Sequence, residues 1–281
     1  MGYSLLVLMS IGLSAGLALA AVHTEAVEYR DGDTVMEGYL AFDDSSQAKR
    51  PGVLVVHEWY GLNDYAKMRA RQLAQMGYVA FAADIYGKGK RATTGEEAAK
   101  LAAPFRSDPA MLRRRTAAAL KVLRQRPNVQ KDKLAAIGFC FGGTAVLELA
   151  RSGADVQAVV SFHGALATRD PNDAKNIKAH VLVLHGADDP HVPLTDVEAF
   201  ENEMRSAHVD WQLIAYGGAV HGFTNPAAGD DPSKGVAYNA AAAARSWQAM
   251  QMFFAETIGR PKQAGPIAQS PMSRPAPPAE K

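Results

Sequence analysis

The sequence predicts an α/β protein built on one mostly parallel sheet of eight strands with helices on both faces. Three observations predict it. Short apolar runs alternate with helical patterns along most of the chain, as expected of parallel strands joined by crossover helices. Two strand-like runs at the start, residues 25–29 and 35–42, have no helix between them and imply an antiparallel hairpin. A glycine-flanked cysteine closes a central apolar run, where a strand would turn sharply into a helix.

After the hairpin, Gly52-Val53-Leu54-Val55-Val56 is a continuous apolar run, the pattern of a strand covered on both faces. A helical pattern over 65–76 leads to a strand over 78–82, and a second helix over 109–124 leads to Leu134-Ala135-Ala136-Ile137. The alternation continues with a helix over 143–151 and strands over 158–162 and 181–184. A helix over 196–206, a strand over 211–216 and a closing helix over 236–257 complete it. There is no internal repeat, and no glycine fingerprint of a dinucleotide site.

The run Leu134–Ile137 leads into Gly138-Phe139-Cys140-Phe141-Gly142-Gly143. This is Gly-x-nucleophile-x-Gly, the elbow of an α/β-hydrolase, with a thiol in place of the more common hydroxyl. Gly138 and Gly142 flank the cysteine because side chains there would collide across the turn. The amides at the start of the following helix favour a thiolate and later an oxyanion. A free cysteine is otherwise a small buried hydrophobe, so the assignment depends on partners downstream.

An elbow nucleophile needs a base, and the base needs an orienting acid, in the chain order nucleophile, acid, histidine. The strand over 181–184 runs into His185-Gly186-Ala187-Asp188-Asp189-Pro190-His191-Val192-Pro193, which places Asp189 as the acid and leaves Asp188 as a loop or capping carboxylate. The strand over 211–216 leads to Gly217-Gly218-Ala219-Val220-His221-Gly222-Phe223, where His221 is the base. The oxyanion hole needs the amide after the nucleophile, Phe141, and one from the loop His57-Glu58-Trp59-Tyr60-Gly61-Leu62, for which Trp59 is the expected donor. His163, after the strand over 158–162, is expected to be a satisfied structural histidine. No histidine shows metal-ligand spacing, and no metal or organic cofactor is implied.

These segments together resemble the dienelactone hydrolase family over nearly all of residues 27–258. The resemblance rests on the elbow, on Glu58 in its loop, on Asp84-Ile85-Tyr86, and on the acid and histidine loops. It implies a cysteine hydrolase of an ester or lactone, working through a covalent thioester with Cys140, His221 and Asp189 in the roles above. It also implies that Glu58 sits beside the thiol and takes part in forming the thiolate. An ionised carboxylate there would oppose a thiolate, so a mobile or protonated Glu58 is expected; its plainer role is to cap a helix beginning near Asn63. Members of the family hold a carboxylate-bearing lactone with two arginines. Here Lys88, after Tyr86, takes one place and Asn225 the other. Tyr86 and Lys88 are thus the expected substrate contacts, with Lys88, Lys90 and Arg91 as a solvated basic loop the alternative. An ester or lactone with one acidic group, or none, fits better than dienelactone.

The chain has 281 residues, 48% of them apolar and 21% charged, and a net charge of +1, which provides one sizeable core and no strong pull toward nucleic acid or membrane surfaces. Residues 1–20 carry no Lys, Arg, Asp or Glu and end in Ala18-Leu19-Ala20, the pattern of a secretory leader cleaved after Ala20. An uncleaved anchor is the alternative. Export to the periplasm or medium, without stable membrane association after cleavage, is the expectation. The hydrolase domain is assigned to 21–259, and the proline-rich segment 260–281 to a disordered tail. A lone cysteine in an oxidising compartment points to a reactive thiol or an intermolecular bridge. A monomer is the default expectation. Acyl transfer or peptide cleavage on the same triad, and a non-catalytic binding protein of this fold, are the competing functions.

Overall fold

A computed structural model describes residues 22–45 and 48–261, so the leader at 1–20 and the tail beyond Pro261 lie outside the described residues. The hairpin is β1 (Val22–Asp31) and β2 (Thr34–Asp43), followed by β3 (Arg50–Val56), α1 (Asp64–Gln75) and β4 (Val79–Ala83). Two successive helices, α2 (Gly95–Ser107) and α3 (Pro109–Gln125), precede β5 (Val129–Phe139) and α4 (Phe141–Arg151). The chain continues through β6 (Ala158–Phe162), β7 (His180–Gly186), α5 (Leu194–Ser206), β8 (Trp211–Tyr216) and α6 (Ala240–Thr257).

The eight strands form one sheet in the order β1-β2-β4-β3-β5-β6-β7-β8. β1 pairs with β2, and β2 with β4, antiparallel; every other pairing is parallel. The carboxyl ends of the parallel strands therefore share one rim, where open α/β sheets place their sites. Successive side chains of a strand face opposite ways, and the core divides accordingly. Leu54 and Val56 pack under α2, α3, α4 and α5 through residues such as Phe105, Leu120, Val146 and Phe200. Val53 and Val55 pack under α1 and α6 through Ala70, Leu73, Met250 and Phe254.

Beyond shifts at the ends of several elements, three differences from the sequence reading matter. α2 was not expected. Its Ala98, Ala102 and Phe105 are buried at helical spacing, and Thr94 caps it by accepting from the Glu97 amide at 3.2 Å. The closing helix begins at Ala240, because the Asn239 side chain caps it and Val236 instead bridges to His221. α4 begins at Phe141, immediately after the cysteine.

Under the helices on the first face runs a buried ionic network. Arg151, 1% exposed, donates to both carboxylate oxygens of Glu203 at 2.8 and 2.7 Å and to Glu148 at 3.0 Å. Arg113 binds the other Glu148 oxygen at 2.8 Å and reaches Asp173 at 2.7 Å. α3, α4 and α5 are tied together through these side chains.

Candidate active site

Because β5 ends at Phe139 and α4 starts at Phe141, Cys140 alone makes the turn, with φ 53° and ψ −116°. A positive φ in a residue bearing a Cβ costs about 1–3 kcal/mol and persists only where the surroundings enforce it. Here the enforcement is steric. A Cβ on Gly138 would stand 1.9 Å from the Gly142 carbonyl oxygen, and one on Gly142 would stand 2.2 Å from that of Val56. The Cys140 amide is shared between the Phe162 carbonyl at 3.0 Å and His163 Nδ1 at 3.1 Å.

His163, itself at φ 40°, is satisfied on both ring nitrogens. An amide can only donate, so Nδ1 is the acceptor and Nε2 carries the proton, donated to Thr224 Oγ1 at 2.7 Å. The same hydroxyl meets Tyr65 Oη at 2.7 Å, and Arg69 donates to Tyr65 Oη at 3.1 Å and to the Thr224 carbonyl at 3.0 Å. The Arg69 guanidinium lies 5.0, 5.5 and 4.9 Å from the ring centroids of Tyr65, Phe139 and Trp247. Burial, with the His221 and Arg69 charges behind it, holds the His163 pKa well below the usual imidazole range. His163 is thus a neutral prop for the elbow.

The loops after β5, β7 and β8 bring three predicted side chains together. His221 Nε2 lies 3.0 Å from Cys140 Sγ, and His221 Nδ1 lies 2.8 Å from Asp189 Oδ2. Asp189 also accepts the His191 amide at 2.8 Å, which fixes its carboxylate plane. Asp188 instead accepts the Gly218 amide at 2.9 Å, the part of a loop carboxylate. Burial pushes the His221 pKa down, but the hydrogen bonds from its ring to Asp189 and Cys140 and the negative charge on each outweigh burial and carry it up to about 10. The arrangement puts the imidazole within proton-transfer reach of the sulfur.

Glu58 lies in the loop after β3, 7% exposed, and accepts from Asn225 Nδ2 at 2.6 Å. The helix-capping alternative does not hold, because Asn63 caps α1 by accepting from the Ala66 amide at 3.3 Å. Burial raises the Glu58 pKa, while Asn225 and the His221 and Arg69 charges oppose that rise. Glu58 hydrogen-bonds to Asn225 and not to the sulfur. The Phe141 amide opens α4, so it has no partner within that helix. The Trp59 amide sits in the turn after β3, and the Trp59 carbonyl is held by the Tyr86 hydroxyl at 2.9 Å.

The two expected substrate contacts are placed elsewhere. Tyr86 is buried, its ring packed against His57, Phe105 and Phe141, so its hydroxyl braces the Trp59 backbone and does not face the pocket. Lys88 is turned toward the hairpin, where it pairs with Glu28 and with Glu37 at 3.0 Å. Two carboxylates on neighbouring strands satisfy the ammonium there, and nothing draws it toward the cysteine.

A cavity of about 820 Å³ opens over Cys140 and His221. Its walls are largely apolar, with Trp59, Phe105, Leu112, Phe141, Val192 and Val236 among them. Arg106, Arg169 and Lys234 also line it, as does Glu148. None of these four lies in a recognisable motif. The signal within reach was Thr94-x-x-Glu97, a capping pattern that announces the helix carrying Phe105 and Arg106.

Comparison with known proteins gives a consistent result. The model of the dienelactone hydrolase family matches residues 36–258. An uncharacterised Caenorhabditis elegans protein, K02A2.1, is 40% identical over 153 residues, which is 52% of this chain and 94% of that one. A Synechocystis protein named "Putative carboxymethylenebutenolidase" is 28% identical over 247 residues, 83% of this chain and 96% of that one. Among solved structures, a dienelactone hydrolase-like promiscuous phosphotriesterase from metagenomic libraries, P91, superposes with a TM-score of 0.82 at 45% identity, covering 85% of this chain and 100% of that one.

Proposed function

This chain belongs to the dienelactone hydrolase family, and we propose that it is an exported carboxylic ester or lactone hydrolase acting through Cys140, His221 and Asp189. The observation that carries the reading is the continuous contact from sulfur to imidazole to carboxylate, at 3.0 and 2.8 Å. In the proposed reaction the Cys140 thiolate attacks the carbonyl carbon, and the carbonyl electron pair moves onto oxygen. That oxyanion is received by the Phe141 and Trp59 amides; losing one such donor costs roughly 10²–10³ in turnover in comparable enzymes. Collapse expels the alcohol oxygen, which takes the proton from the His221 imidazolium and leaves a thioester. Water then gives a proton to His221 as its oxygen attacks the thioester carbon. The thiolate departs, and the acid is released. Asp189 holds the His221 tautomer throughout. Glu58 is proposed to remain protonated beside this centre, bonded to Asn225, so that it does not repel the thiolate.

Cys140→Ala is expected to lower kcat on small activated esters by about 10⁴-fold or more, with the folded structure retained by circular dichroism. In the wild type, rapid quench and mass spectrometry should find an acyl group on the peptide containing Cys140. Full activity in the variant would overturn the proposal. Export is supported by the apolar, uncharged run ending in Ala18-Leu19-Ala20. The mature amino terminus is expected at Ala21 by mass spectrometry, and an intact residue 1 on the exported protein would contradict cleavage.

A further inference from the structure

The segment after β4 meets the loop after β3 through two rings. One is Tyr86, whose hydroxyl holds the Trp59 carbonyl. The other is His57, wholly buried, which the reaction proposed above does not use. Its two nitrogens have fixed roles. The Ile85 amide can only donate, so His57 Nε2, 3.2 Å away, is the acceptor and Nδ1 carries the proton. That proton is donated to the Glu58 carbonyl at 2.6 Å. Burial lowers the His57 pKa, against the opposing pull of the Glu58 hydrogen bond and the Asp84 charge, in keeping with a neutral ring. Asp84 accepts the Tyr86 and Gly87 amides at 3.0 and 2.9 Å, which fixes the segment that carries the Ile85 amide.

The Glu58 carbonyl and the Trp59 amide belong to one planar trans peptide unit and point in opposite directions across it. Fixing one therefore aims the other. The carbonyl also accepts the Gly61 amide at 3.2 Å, so two donors hold the unit from one side. On the other side, the Trp59 amide donates to no group among the described residues. A hydrogen bond to the carbonyl polarises the peptide and strengthens its N–H as a donor. The same imidazole stacks on the Phe141 ring, with centroids 5.9 Å apart and planes 12° from parallel. One buried side chain thus joins the Glu58–Trp59 peptide to Phe141, the two places whose amides receive the oxyanion in the proposed reaction.

We propose that His57 is a positioning residue of the oxyanion site: its Nδ1–H, fixed in that tautomer by the Ile85 amide, aims and polarises the Trp59 amide toward the ester carbonyl oxygen. The inference rests on the hydrolase reading of Cys140. It assigns the imidazole no proton transfer and no contact with substrate. What His57 supplies is a donor geometry that exists before substrate arrives, and a displacement of about 1 Å in such a geometry costs on the order of 10²-fold in rate.

Three variants separate the two nitrogens. An asparagine amide reaches the place of Nδ1 and a glutamine amide that of Nε2, whereas phenylalanine keeps only a ring. In His57→Phe, kcat on small activated esters should fall about 10- to 100-fold, with KM within about twofold of wild type. His57→Asn should recover most of that loss, although it abandons the Ile85 amide and the stack on Phe141. His57→Gln should be the more stable of the two polar variants in urea, and the slower. An unchanged kcat in His57→Phe, or a kcat that simply follows stability across the three, would overturn the proposal. Addition of an aryl trifluoromethyl ketone, followed by fluorine NMR, reads the same geometry without turnover. The Cys140 sulfur bonds to the ketone carbon as the carbonyl electron pair moves to oxygen, giving an oxyanion that has no leaving group. Affinity for the ketone should fall in His57→Gln, and in His57→Phe if it folds, in step with kcat. Alkylation of Cys140 by iodoacetamide, which forms no oxyanion, should stay within about twofold of wild type. An equal loss in both reactions would refute the oxyanion role. If the wild type hydrolyses no ester yet binds the ketone in this His57-dependent way, the hydrolase reading fails and the positioning role stands; a wild type inert to both refutes both.

Discussion

The charge on His221 is set by what its two ring nitrogens touch. With a pKa carried to about 10 by Asp189 and Cys140 against burial, the folded protein keeps a proton on this ring that an unfolded chain, with an ordinary value near 6.5, has already lost. The stabilisation this contributes is complete below about pH 6.5 and disappears as pH rises through about 10. Activity should have its alkaline limb in the same region, because the leaving alcohol needs the imidazolium proton. Asp189→Asn removes the carboxylate charge that helps to raise the pKa. We expect that limb to move toward neutral pH and kcat to fall on the order of 10³–10⁴-fold. A pH-rate profile paired with an NMR titration of the ring measures both. A limb that stays in place would show that Asp189 does not tune this histidine.

At the scale of elements, the Arg151 network is the clearest case of packing that depends on charge. It joins α4 to α5 through Glu203 and to α3 through the shared Glu148, with the side chains of Arg151, Glu148 and Glu203 almost wholly buried. Breaking a buried ion pair from one side leaves the remaining charge unpaired, typically at a cost of about 3–5 kcal/mol. Arg151→Met is accordingly expected to lower stability by about that amount in urea unfolding, because Glu203 loses its bidentate partner. A loss below about 1 kcal/mol would mean that water replaces the guanidinium. The parallel strands were legible because their apolar runs are short and bounded by loops. The network was not, since a sequence pairs Arg151 with Glu148 by spacing but gives no hint that Glu203 comes beside them. α2 was lost for a related reason: its alanine-rich stripe and internal Pro104 hide a helical period that Phe105 and the Thr94 cap reveal only together.

For the molecule as a whole, topology converts a list of motifs into a centre. Strands β3, β5, β7 and β8 all end on one rim, so the loops bearing Glu58, Cys140, Asp189 and His221 meet, although these residues lie between positions 58 and 221. The order of nucleophile, acid and base could be read from the chain because each follows an apolar strand. The cavity walls could not, since Tyr86 and Lys88 follow the right strand yet Tyr86 packs beneath the Trp59 loop and Lys88 turns to the hairpin, while Arg106 and Arg169 arrive from segments without a motif. One property of the assembled molecule follows from the solitary thiol at its centre. A thiol reagent can label this protein in a single place, so the label taken up per chain counts competent molecules directly, and a dye placed there watches the cavity with no background from any other site.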